Sequence, residues 1–183
     1  MATLRDMLEP ALTRARSHEA LDRVLTWARI DLDPPHRPPA PWRVAVATVL
    51  SIVGSLLADA ALVAVGTHVF PATNGYSHFQ FADYAKLTVI GVVIAGAGWA
   101  VVTRVCAAPR RLFFWSAIVV TLVLFLPDIY IWWQGQIAQG VCVLLAMHVA
   151  IALVTYNLLV RVAPTRARPV VAEQDTPAPR AAS

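Results

Sequence analysis

The amino-acid sequence predicts an all-α fold: an antiparallel four-helix transmembrane bundle with both termini in the cytoplasm and an N-terminal cytoplasmic amphipathic helix. Three observations predict it. Apolar residues make up 58% of the chain, and the mean hydropathy is +0.61. Four apolar runs approach the ~20 residues that a helix needs to cross a ~30 Å hydrocarbon core. All fourteen arginines lie outside these runs. The runs cover about 44–67, 84–103, 112–133 and 137–160.

The positions of the arginines predict the orientation. They precede the first run, occupy the link between the second and third, and follow the fourth, whereas the other two links contain none. Cytoplasmic loops carry the excess of arginine and lysine, so this alternation predicts a multi-pass protein of the cell (plasma) membrane with both ends inside. The net charge is +4, and the basic residues flank apolar segments without forming a stripe. We therefore expect contact with membrane lipids and no binding of nucleic acid.

Two segments precede the first span. Residues 1–33 place apolar side chains at steps of three and four, with acids and arginines on the other face, which predicts an amphipathic helix. This helix is a candidate docking site for a protein partner. Residues 34–42 hold five prolines and predict an extended spacer. Cys106 and Cys142 fall at opposite ends of their spans, so we expect no disulfide between them.

The first two spans carry small and polar residues at helical spacing. Ser51 and Ser55 share one face of span one, and Gly91, Ala95 and Gly98 share one face of span two. Small residues at these steps let helix backbones approach closely, so we predict that these faces pack against other helices. We expect these small-residue faces on spans one and two to form the tightest helix contacts of the bundle.

Span three contains a proline, and the chain after span four is polar. Pro127 is expected to break span three near its outer end, where Tyr130, Trp132 and Trp133 form an aromatic belt. Residues 43–162 make up the transmembrane domain. Beyond it, residues 163–183 are rich in proline, alanine, arginine and threonine, which predicts a disordered cytoplasmic tail.

Four ionisable residues lie within or beside the spans and are the candidate ligand- or proton-binding residues, because hydrocarbon penalises such groups strongly. A rise of ~1.5 Å per residue places Asp59 about 24 Å from Arg43, Asp128 about 25 Å from Arg111, Lys86 about 27 Å from Arg104 and His148 about 20 Å from Arg161. All four would then share one layer in the outer half of the membrane. They either serve as neutral, hydrogen-bonded packing groups and span ends, or line a pocket for a polar headgroup, an ion or a proton.

Signatures of catalysis, cofactors and metals are not evident in the sequence. His68, His78 and His148 with two acids match no zinc-binding spacing. The sequence contains no phosphate-binding loop, dinucleotide fingerprint or serine-nucleophile elbow. We therefore predict no cofactor, no metal and no catalytic residues.

Short motifs in the second half of the chain suggest a family. They are Pro109-Arg110-Arg111, Leu126-Pro127-Asp128 and Met147-His148. With these motifs, residues 42–162 resemble an uncharacterised actinobacterial family of small four-helix integral membrane proteins, a domain of unknown function. The resemblance implies four membrane helices, emphasises Pro127, Asp128 and His148, and supplies no activity.

Three functions are compatible with these features. The leading prediction is a non-enzymatic accessory or interaction protein, either a subunit of a larger membrane assembly or a homo-oligomer. The first alternative is a small transporter or binder of lipid-like or cationic molecules that uses the polar layer. The second is a membrane-embedded lipid-modifying enzyme, with His148 and an aspartate as acid and base.

Overall fold

A computed structural model of the chain contains four long helices and describes residue 10 and residues 23–24, 26–31, 34–76 and 79–168. Within that part of the chain, all four helices are long and apolar enough to cross a membrane, which confirms the prediction of an all-α fold with four such helices. The elements in chain order are β1 (His36–Arg37), α1 (Pro41–Val69), a 3₁₀ turn (Pro71–Thr73), α2 (Phe81–Val105), α3 (Pro109–Trp133), α4 (Ala138–Val162) and β2 (Arg166–Ala167).

Prolines stand at the start of two helices, and a third proline, Pro127, lies inside α3 without ending it. Pro41 and Pro109 occupy the first positions of α1 and α3, where a missing N–H costs nothing and the fixed φ angle favours the helix. Pro127 does not break α3, which continues through it to Trp133. Six residues remain after Pro127, so the helix loses only the hydrogen bond to the Val123 carbonyl and keeps the backbone hydrogen bonds of its last turns.

The helices are antiparallel to their neighbours, and α1 packs most extensively against α4. Arg43 Nε donates to the Val162 carbonyl at 3.0 Å, which places the start of α1 beside the end of α4. Span one therefore packs mainly on α4, and its contact with α2 is less extensive. Gly54 and Gly66 explain why: a Cβ at Gly66 would lie 2.7 Å from Val143 Cγ2, so the missing side chain admits α4.

We call the end of the bundle that carries Arg43, Arg104, Arg110 and Arg161 the arginine end, and the opposite end the loop end. The apolar core sits at the arginine end around Trp99, which is fully buried. The indole Nε1 of Trp99 donates to the Ala163 carbonyl at 3.0 Å, and its ring lies 5.0 Å from that of Phe113. The buried members of this core are Val44, Ala47, Trp99, Phe113, Leu159, Val160 and Ala163.

Segments on both sides of the bundle meet at the arginine end. β1 pairs antiparallel with β2, so the predicted spacer and the first residues of the predicted tail form a two-stranded ladder. Cys106 Sγ donates to the Ala28 carbonyl at 2.8 Å, and Ile30 forms a bridge with Cys106. Burial raises the pKa of the Cys106 thiol. Most of the predicted amphipathic helix, residues 1–33, and tail residues 169–183 lie outside the described residues.

Many large apolar side chains lie on the outer surface of the bundle, where they are exposed. Leu57 on α1, Leu87 on α2 and Leu126 on α3 each expose more than 60% of their surface. A soluble protein rarely presents apolar surface of this extent, whereas a bilayer solvates it without cost. The bundle thus has an apolar exterior, and its interior combines the apolar core around Trp99 with buried polar residues such as Ser51, Ser55 and Asp59.

Candidate functional site

A buried carboxylate on α1 is held by a hydroxyl from α2. Asp59 is fully buried, and Thr88 Oγ1 donates to its Oδ2 at 2.8 Å. Within the described part of the chain, Asp59 Oδ1 has no hydrogen-bond partner. The Ser55 hydroxyl, one helical turn earlier, is likewise buried without a partner among the described residues. A buried oxygen without a hydrogen bond costs free energy. Ser55 Oγ and Asp59 Oδ1 can therefore each still accept a hydrogen bond.

A second carboxylate lies beside a histidine. Asp128 Oδ2 on α3 lies 3.1 Å from Nδ1 of His148 on α4. The same Nδ1 lies 3.0 Å from the Leu144 carbonyl one turn back. A carbonyl only accepts, so Nδ1 carries a proton and the neutral ring is the Nδ1–H tautomer. This N–H is directed at Leu144, and Asp128 Oδ2 therefore has an electrostatic contact without an aligned hydrogen bond.

The two carboxylates belong to one layer of the bundle. His148 interacts electrostatically with both Asp59 and Asp128. The structure thus brings together three of the four ionisable residues that the sequence singled out. We call Asp59, Thr88, Asp128 and His148 the polar layer; it joins all four helices, with one member on each.

The fourth candidate lies elsewhere. Lys86 is exposed on α2, and no hydrogen bond or ion pair of its ammonium is found among the described residues. Lys86 precedes Thr88 by two residues, and a step of two turns a helix by about 200°, so the two side chains leave α2 on nearly opposite faces. The polar layer therefore contains two acids and one imidazole, with no lysine or arginine.

Two tyrosines border the polar layer from the loop end. Tyr76, in the connection between α1 and α2, is buried, and its ring packs where a side chain at position 140 would be, 3.1 Å from a Cβ built on Gly140. Burial raises the pKa of the Tyr76 hydroxyl, and the negative charge of Asp128 raises it further. Tyr84 on α2 interacts electrostatically with Asp59. The Tyr76 phenol therefore keeps its proton at pH 7.

An apolar cleft opens between α2, α3 and α4, because α2 and α3 pack only loosely on each other. Its volume is about 280 Å³. It extends from Val102, Phe113 and Tyr156 near the arginine end to Gly91, Leu124 and His148 at the level of the polar layer. The remaining lining residues are Val92, Ile94, Ala95, Gly98, Ser116, Ala117, Val120, Thr121, Ile151, Ala152 and Thr155.

The cleft has few polar groups, and two of them can bind a ligand. Thr155 is 5% exposed, and its Oγ1 has no hydrogen-bond partner in the described part of the chain. His148, whose side chain is 25% exposed, is the only ionisable residue at its inner end. Its Nδ1 is committed to Leu144 and Asp128, so Nε2 is the nitrogen left for a molecule in the cleft.

The predicted packing residues divide between two environments. Ser51 and Ser55 are buried inside the bundle. Gly91, Ala95 and Gly98 instead line the cleft, and a Cβ at Gly91 or Gly98 would meet no atom within 4 Å. The close approach of α2 to α1 occurs at Gly96, where a Cβ would overlap with the Thr48 side chain.

Sequence reasoning did not identify Thr88 or Thr155 as site residues. A threonine in an apolar helix usually bonds its own backbone, as Thr48 does to the Val44 carbonyl, so the residue type carries no signal for a site. Grouped metal ligands, three or more among His, Cys, Asp and Glu, are absent from the described residues. His78 lies outside them.

The chain was compared with protein families, curated proteins and solved structures, and none of them matches it. The resemblance to an actinobacterial membrane family therefore stays a prediction.

Proposed function

We propose that the protein is a non-enzymatic integral membrane protein that binds a lipid-like molecule in the cleft between α2, α3 and α4. The cleft is the observation that supports this proposal. Its volume of about 280 Å³ is near the lower limit of small-molecule sites, and such sites combine apolar walls with a few polar groups. Here the apolar walls would hold a hydrocarbon portion, while Thr155 and His148 would bind a polar group.

The proposal includes an orientation in the plasma membrane. The arginine end would face the cytoplasm, following the positive-inside rule, so both termini would be cytoplasmic. The cleft would then open sideways into the hydrocarbon and extend from the cytoplasmic half of the bilayer to the polar layer. A lipid-like molecule would enter from the membrane between α2 and α3, which make few contacts with each other.

Photochemical labelling tests this proposal. A C10 alcohol with a diazirine on its chain is added to the protein purified in dodecyl maltoside, irradiated, and located by peptide mass spectrometry. We expect adducts on the residues of α2, α3 and α4 that line the cleft. Gly98→Leu should lower this labelling several-fold, because the Gly98 Cα faces open space inside the cleft and an isobutyl group would fill it.

The matched control is Ala97→Leu on the same helix. Ala97 is exposed on the outer surface and does not line the cleft, so labelling should stay at the wild-type level. Elution volume and thermal unfolding midpoint establish that both variants fold. Equal labelling of the two variants, or adducts spread evenly over the lipid-facing surface, would contradict the proposal.

One observation favours a second function, that of an accessory subunit or homo-oligomer. Gly91, Ala95 and Gly98 present a small-residue face on an open side of α2, and such faces accept a second helix. In that case residues 1–33 would add a contact with a protein partner. Native mass spectrometry separates the two functions: Gly98→Leu would dissociate a complex if a helix occupies this face, whereas under the first proposal it would release a small molecule from a chain of unchanged stoichiometry.

A further inference from the structure

The polar layer contains more negative than positive charge. Its ionisable members are Asp59 from α1, Asp128 from α3 and His148 from α4. The tyrosines that border it, Tyr76 and Tyr84, provide no positive charge. On α2, the charged residues Asp83 and Lys86 are exposed. With both carboxylates ionised, even a protonated His148 leaves the layer with one uncompensated negative charge.

Hydrocarbon surroundings disfavour that net charge, so the layer must gain a positive charge. A proton on Asp59 supplies part of that positive charge. Asp59 is fully buried and does not line the cleft, and its Oδ1 has no hydrogen-bond partner among the described residues, an arrangement that favours a retained proton. The remaining carboxylate, Asp128, then needs one positive charge, which either an imidazolium at His148 or a cation in the cleft supplies.

We infer that the molecule bound in the cleft carries a cationic polar group, and that its binding displaces the proton from His148 Nε2. This inference rests on the proposed function and deepens it by naming the ligand class, an amphipathic cation with a hydrocarbon chain. Asp128 does not line the cleft but lies 3.1 Å from His148 Nδ1, so an anionic group at the Nε2 side of the imidazole would add a second negative charge near it. A cation beside an imidazolium would be repelled, so the cation binds to the form in which His148 is neutral.

The exchange conserves charge within the layer. Before binding, the imidazolium of His148 offsets the Asp128 carboxylate. The ligand cation enters the cleft, the N–H bond at Nε2 breaks, and the proton passes to water. The Nδ1 proton stays in the hydrogen bond to the Leu144 carbonyl, with Asp128 Oδ2 3.1 Å from the same nitrogen. The ligand cation and the Nε2 proton of His148 thus compete to neutralise the Asp128 carboxylate. By linkage, the cation therefore binds more tightly at higher pH.

Three ligands with the same chain test the inference: decyltrimethylammonium, decanol and decanoate. Each competes with the photoactivatable alcohol for the cleft of the protein in dodecyl maltoside. Calorimetry in phosphate and Tris buffers at one pH gives the number of protons released. We expect decyltrimethylammonium to compete best and to release about one proton, with its Kd falling by up to about tenfold per pH unit while His148 is protonated. Because this head group is a fixed charge, the released proton belongs to the protein.

Two substitutions identify the groups involved. His148→Asn keeps a donor near Leu144 and Asp128 but cannot titrate, so proton release should fall to near zero and cation binding should become independent of pH. Asp128→Asn removes the fixed charge and should weaken cation binding about tenfold or more while decanol binding is unchanged. Asp83→Asn is the control: it removes an exposed acid from the start of α2 and should leave every value at the wild-type level.

The outcomes separate this inference from the proposed function. If no ligand displaces the photoactivatable alcohol, the cleft is not a binding site and both fail. If decanol competes as well as the cation and neither releases a proton, the cleft binds lipid-like molecules and the cation inference is overturned. If the His148→Asn variant still releases a full proton when the cation binds, the released proton does not come from His148. Should a variant fail to fold, the wild-type comparison of decyltrimethylammonium with decanol decides alone.

Discussion

Gly96 and Gly98 stand two residues apart on α2 and have opposite surroundings. A Cβ on Gly96 would overlap with the Thr48 side chain of α1, whereas one on Gly98 would meet no atom within 4 Å. The difference arises because two residues turn the helix by about 200°, so the two positions face opposite sides of α2. One glycine permits the α1–α2 contact, and the other leaves the cleft open.

Replacement of each glycine by alanine should therefore have opposite effects on stability. Gly96→Ala inserts a methyl group between packed helices and should lower the free energy of unfolding by roughly 1–3 kcal/mol. Gly98→Ala adds helix propensity without a clash and should raise it by up to about 1 kcal/mol. Titration with SDS, monitored by circular dichroism, measures both changes. Destabilisation by Gly98→Ala equal to that of Gly96→Ala would contradict the described rotation of α2.

At the scale of whole helices, the packing changes from one end of the bundle to the other. At the arginine end, Trp99 of α2 contacts the ring of Phe113 on α3 and donates to Ala163 just beyond α4, so three helices are fixed together. Further along, α2 and α3 separate around the cleft. The arginine end therefore holds the helices in place while the cleft side can admit a molecule.

Removal of the indole donor tests this junction. Trp99→Phe keeps an aromatic ring but leaves the buried Ala163 carbonyl without its partner, which should cost about 1–3 kcal/mol. The same SDS titration detects the loss. Trp133→Phe is the control, because Trp133 ends α3 with 84% of its surface exposed, and its replacement should change the unfolding free energy by less than about 0.5 kcal/mol. Equal effects would show that the junction contributes no specific stability.

For the whole molecule, sequence predicted the four long apolar helices better than it predicted helix rotation. Span length and rise per residue depend only on position along the chain, so they could be read directly. Rotation could not, because a helix that is apolar all round has no amphipathic pattern to identify its inner face. The small-residue stripe of Gly91, Ala95 and Gly98 therefore did not predict that these residues line a cleft.

The same limit applies to Lys86 and to the order of helix contacts. The estimated depth of Lys86 matched that of the acids, but depth carries no information about which side of α2 the ammonium leaves. Likewise the preference of α1 for α4 depends on Gly54 and Gly66, which are unremarkable among the small residues of an apolar helix. Side-chain contacts between helices, and not the pattern within one helix, decide these features.

The orientation of the whole bundle gives the last prediction. If the arginine end is cytoplasmic, the connection between α1 and α2 faces the exterior and the turn between α2 and α3 faces the cytosol. Asn74 and Arg110 are exposed in these two segments, so each accepts a reporter cysteine without disturbing the core. In intact cells expressing a Cys142→Ala background, an impermeant maleimide should label Asn74→Cys and spare Arg110→Cys.

Permeabilised cells supply the control, because both reporters should then react. The native Cys106 is fully buried and burial raises its pKa, so it should contribute little thiolate and little background. Labelling of Arg110→Cys in intact cells would show that the bundle has the opposite orientation in the membrane. The cleft would then extend from the outer surface to the polar layer, and the amphipathic cation would have to enter from the outer leaflet.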